Sequence, residues 1–103
     1  MIERGTTPLH VYEDIPPEVF SVIKEVKITY SQCGNEVLVK RTNDCTMKDG
    51  KITTRLTQED TFLLDCKKMV DIQLRILTES GECLKSEIMT ETVGKCLDDE
   101  VLT

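Results

Sequence analysis

From Met69 to Thr78 the chain alternates apolar and polar residues almost without fault. Val70, Ile72, Leu74 and Ile76 share one parity, and Asp71, Gln73 and Arg75 the other. Side chains repeat every second residue along a β-strand, whereas a helix would spread the same residues around its circumference. A strand with one apolar and one polar face belongs to an antiparallel sheet that is buried on one side only. This segment therefore needs antiparallel neighbours, and the rest of the chain supplies them.

Lys24–Gln32 places Val26, Ile28 and Tyr30 on one face and Glu25, Lys27, Thr29 and Ser31 on the other. A turn at Cys33-Gly34-Asn35 returns the chain through Glu36–Arg41 as a hairpin. Cys45-Thr46-Met47 leads into Lys48-Asp49-Gly50-Lys51. Asp-Gly there predicts a type I′ turn, whose positive φ both residues tolerate. The strand leaving it puts Ile52, Thr54 and Leu56 on one face.

After Thr78 a turn at Glu79–Glu82 leads to a partner strand over 83–93. Its alternation slips near Glu87-Ile88-Met89, which predicts a bulge. Thr6–Glu13 reads as an edge strand, because Pro8 has no N–H to give to a ladder.

Two segments read as helical turns. Pro17-Glu18 opens one that would bring Val19, Val22 and Ile23 to the core, with proline and an acid suited to a helix start. Thr57 caps the other, with Asp60 three residues on. Phe62, Leu63 and Leu64 then plug one end, and the turn serves as a crossover between sheets.

About six or seven strands with frequent turns predict an all-β fold: an antiparallel two-sheet β-sandwich, immunoglobulin-like in outline. The Cys…Trp…Cys hallmark is missing, because the chain has no Trp. With 103 residues there is room for one core and so a single domain, 1–103. Residues 1–8 read as an N-terminal arm that could dock on a neighbouring subunit, and 96–103 as an acidic C-terminal tail.

The net charge of −6 removes the electrostatic footprint of a nucleic-acid binder and disfavours an anionic membrane surface. Two Tyr, two Phe and no Trp argue against base- or sugar-stacking platforms. No run approaches the roughly 18 apolar residues of a membrane span, and no signal-peptide core follows Met1. A soluble protein made in the cytoplasm is expected.

Free thiols are then the default for Cys33, Cys45, Cys66, Cys83 and Cys96. Their spacing fits no zinc frame, and a Cys33–Cys45 disulfide stays open. His10 is the one histidine and has no evident partner for nucleophilic catalysis. The pairs Glu13/Asp14 and Glu59/Asp60 and the run Asp98–Glu100 do not converge on one site, since neighbouring acids on a strand point apart. The run Asp98–Glu100 reads as a solvated tail, with an oppositely charged partner surface as its functional use. Lys48–Lys51 lacks the frame of a phosphate loop. No catalytic, cofactor-binding or metal residue is assigned, no cofactor or small-molecule substrate is expected, and the chain is read as not an enzyme.

Several stretches also carry a resemblance: Arg4–Pro8, Val26–Gln32, Leu56–Phe62, Val70–Ile76 and Val93–Leu102, in that order. Together they resemble small uncharacterised proteins encoded among the structural genes of prophages in Gram-positive gut bacteria. The resemblance covers nearly the whole chain, includes no catalytic motif, and implies a virion, neck or tail component. Its partners would be other phage structural proteins or copies of itself, in the bacterial cytoplasm during assembly and then in the virion. A free-standing adaptor or host-interaction module is the alternative.

Overall fold

The computed structural model describes residues 1–103. Its elements run β1 (Ile2–Glu3), β2 (Leu9–Tyr12), α1 (Pro17–Phe20), β3 (Ile23–Gln32), β4 (Asn35–Arg41), a 3-10 turn (Thr42–Asp44), β5 (Thr46–Lys48) and β6 (Lys51–Arg55). They continue through α2 (Gln58–Phe62), β7 (Val70–Thr78), β8 (Cys83–Lys85), β9 (Met89–Glu91) and β10 (Val93–Gly94). The larger sheet has the order β4-β3-β7, with β8 and β9 sharing the far side of β7; the smaller is β2-β6-β5. All pairings within both sheets are antiparallel. Agreement with the immunoglobulin-like outline extends to two antiparallel sheets around one core.

The core follows from the period-two pattern. Val26, Ile28 and Tyr30 of β3 meet Val70, Ile72, Leu74 and Ile76 of β7, and Ile52 and Leu56 close it from the smaller sheet. Burying side chains of this size contributes about 1.5–3 kcal/mol each, an upper range set by an extended reference chain.

Both short hairpins use two-residue turns. Cys33 (φ 51) with Gly34 (φ 78), and Asp49 (φ 55) with Gly50 (φ 75), take the paired positive φ of type I′. Thr57 and Asp60 form the expected capping box: Asp60 N–H donates to Thr57 Oγ1 at 3.1 Å, and Thr57 N–H to Asp60 Oδ2 at 2.8 Å. α2 carries the chain from β6 in the smaller sheet to β7 in the larger, as a crossover should.

The bulge near residue 88 is also present. Arg75 pairs with Lys85, but Ile72 pairs with Met89, so one extra residue is accommodated between β8 and β9. Ser86 fills the gap in the ladder: its N–H donates to Leu74 O, and its Oγ accepts from Leu74 N–H.

Three expectations change. The N-terminal segment is not an arm. Ile2 is buried and β1 pairs in parallel with β10, because Ile2 completes the core beside Val93. Beyond it, Gly5 N–H donates to Thr61 Oγ1, and the Arg4 guanidinium lies over the Phe62 ring. Of the predicted end plug, Leu64 is buried but Leu63 points to solvent, being 58% exposed. The single partner strand over 83–93 is three short ones, and β10 leaves β7 for β1.

Candidate functional site

Two arrangements of polar side chains stand out, one inside the sandwich and one on its surface. The inner one begins at β2. Its pairing with β6 sets His10 opposite Thr54 and Tyr12 opposite Ile52, so His10 and Tyr12 share the inward parity. Leu9 and Val11, the apolar residues, are left exposed.

His10, for which the sequence offered no partner, meets Tyr30 of β3. Nδ1 and the Tyr30 hydroxyl share a hydrogen bond of 2.6 Å, and the rings stack with centroids 5.6 Å apart. Burial lowers the His10 pKa below its ordinary value, with Glu91 opposing, so the neutral ring is the native form.

Burial likewise raises the neighbouring acids. Tyr12 is pushed up to about 12 by burial and then by Cys45. Tyr30 is raised by burial, then by Tyr12, Cys45 and Asp60. The Cys45 thiol is raised by burial despite a hydrogen bond with Thr54, which keeps it protonated and unreactive.

Lys40 of β4 enters the same region. Its Nζ lies 2.5 Å from Asp60 Oδ2, with 11% and 16% of the two side chains exposed. Burial pushes the Asp60 carboxyl up, but the Lys40 hydrogen bond, the Thr57 amide and the Lys40 charge hold it below its ordinary value. This cluster ties β2, β3, β4 and the crossover helix together. Its histidine is hydrogen-bonded to a protonated tyrosine and its thiol is held protonated, which leaves no activated nucleophile.

The remaining candidates lie apart. Glu13 pairs with Lys51 at 3.8 Å, and Lys48–Lys51 is the β5–β6 turn. Asp99 reaches Arg4 at 3.6 Å, while Asp98 Oδ1 accepts the Glu100 N–H. All five cysteines are free thiols, with Cys33 and Cys83 exposed. No group of three His, Cys, Asp or Glu side chains converges to hold a metal ion. No helix is long and apolar enough to cross a membrane.

The surface arrangement lies on the outer face of the larger sheet. Register sets Arg41 of β4 opposite Lys27 of β3, Lys27 opposite Arg75 of β7, and Arg75 opposite Lys85 of β8. Directly paired residues share a face, so four cations form one row across four strands. At about 4.8 Å per strand the row is roughly 14 Å long.

Opposed like charges on neighbouring strands destabilise a sheet, and compensation here is thin. Glu36 is 3.9 Å from Lys27 and Glu25 is 4.0 Å from Arg41. The Arg75 guanidinium donates only to Cys83 Sγ, at 3.4 Å, and neither Arg75 nor Lys85 joins any ion pair. An open groove of about 460 Å³ runs beside three of the four cations, lined by Lys27, Arg41 and Arg75 together with Glu25, Leu77 and Cys83. Sequence reasoning placed Lys27 and Arg75 on wet faces, but their alignment depends on strand order and register.

Compared with protein-family models, curated proteins and solved structures, the chain matches none.

Proposed function

We propose that this chain is a non-catalytic structural or assembly protein of a phage or prophage that works by protein–protein contact. The setting rests on the sequence resemblance. The mode of action rests on the aligned row Arg41–Lys27–Arg75–Lys85 on an otherwise acidic domain. A row of like charges costs stability in the isolated protein and is offset when an anionic surface covers it. Its partners on this reading are structural proteins of the particle or copies of the chain itself. It would act in the bacterial cytoplasm during assembly and then in the virion.

Mass spectrometry of induced and purified particles tests the reading. The expected result is this chain at a fixed copy number relative to the major particle protein. Its absence from intact particles and from their assembly intermediates would overturn the proposal.

A further inference from the structure

The four-cation row calls for an acidic occupant, and the same chain carries one. Asp98, Asp99 and Glu100 are consecutive and exposed, and Leu97 before them is 96% exposed. This tail is tied to its own chain by a few exposed polar contacts. Asp99 reaches Arg4 at 3.6 Å with 77% of its side chain exposed, and Leu102 exchanges two hydrogen bonds with the Gln58 side chain. Arg4 and Gln58 lie outside the larger sheet, so the acids sit where a neighbouring molecule can meet them.

We propose that the cationic row of one copy binds the acidic tail of the next. The inference rests on the assembly reading and names its partner. An extended chain advances about 3.3 Å per residue and alternates its faces, so Asp98 and Glu100 point the same way about 6.6 Å apart, enough to reach two neighbouring cations spaced about 4.8 Å apart. Leu77 lies two residues from Arg75 on the same strand and face, beside the row, and gives the exposed Leu97 an apolar neighbour. Row and tail are different surfaces of one molecule, so the contact either closes reciprocally as a two-fold dimer or runs from copy to copy into a ring or a filament.

Sedimentation velocity on the full chain tests this at about 0.02 M and about 0.5 M salt, where screening differs several-fold in range. The expected result is association that grows with protein concentration at low salt and is lost at high salt. Arg75→Glu/Lys85→Glu and, separately, Asp98→Lys/Asp99→Lys/Glu100→Lys each yield a single-chain species, while an equimolar mixture of the two associates again. Circular dichroism and a cooperative thermal transition verify folding. If the glutamate pair does not fold, Arg75→Gln/Lys85→Gln takes its place, and its loss of association carries the same meaning. A single-chain wild type at low salt, association that survives the row substitutions, or a folded mixture that stays dissociated would each overturn the proposal. So would a single-stranded oligonucleotide that binds the row more tightly than a peptide of residues 95–103. Any of these results leaves the particle-composition test of the broader reading intact.

Discussion

The Lys40–Asp60 pair gives a direct measure of how the crossover helix is held to the larger sheet. Replacing Lys40 with Met keeps the length and apolar body of the side chain and removes its charge. Asp60 then stays 16% exposed with no cation at 2.5 Å. Breaking a buried pair from one side costs about 3–5 kcal/mol when the survivor has no other partner. Asp60 retains the Thr57 amide at 2.8 Å and some contact with water, which reduces the cost to about 2–3 kcal/mol. For a domain of this size that corresponds to a melting temperature lower by about 10–20 °C.

The double variant Lys40→Met/Asp60→Asn should recover most of the loss, since asparagine keeps the cap acceptor without the charge. pH adds a signature. In the folded wild type, against the effect of burial, Lys40 and the Thr57 amide hold the Asp60 carboxyl below its ordinary value of 3.8. The stabilisation it provides is therefore complete above that value and lost as pH falls below it. Without Lys40 the same carboxyl loses the cation that holds its pKa down, so the gap between variant and wild type should narrow as the solution is acidified from neutrality. Differential scanning calorimetry across pH reads all three outcomes. A melting temperature for Lys40→Met within about 2 °C of wild type at neutral pH, or a loss that Asp60→Asn does not recover, would refute the reasoning.

Two further predictions concern the turn and the half-buried histidine. Cys33 is exposed and sits at φ 51, where a side chain other than Asn, Asp or Gly is strained; Cys33→Asn should stabilise the fold by about 0.5–1 kcal/mol in urea titration. The folded His10 pKa is lowered, so the stability linked to it is present above 6.5 and declines as pH falls from there through the folded value. His10→Gln, which still offers Tyr30 an acceptor, should remove that slope from the pH profile of unfolding free energy, and an unchanged slope would rule out His10 as its source.

The parts of this fold that were legible in the sequence depend on local chemistry. Alternation located β3, β6 and β7, Asp49-Gly50 located a type I′ turn, and Thr57 with Asp60 located the start of α2. The slip near Met89 marked a true register shift. Pairings distant along the chain were not legible. In Leu9-His10-Val11-Tyr12 composition alone favours the apolar pair as the inward set, yet the register with β6 turns His10 and Tyr12 inward, where Tyr30 satisfies the histidine. Lys40 reads as a surface residue until Asp60, far along the chain, arrives above it. The cationic row has no sequence signature, since its four members come from four strands whose order only the folded sheet defines.

The parallel pairing of β1 with β10 bears on how the protein is made. Ile2 is synthesised well before its strand partner Val93, which lies 91 residues further along the chain (93 − 2). Synthesis at about 5–20 residues per second separates the two by several seconds. Throughout that interval an apolar strand end waits without its mate. The β3–β4 and β5–β6 hairpins can close early, but β3 reaches β7, and β1 reaches β10, only across long stretches of chain. Such non-local closure slows folding, because the chain must lose the entropy of a long loop before either contact stabilises it.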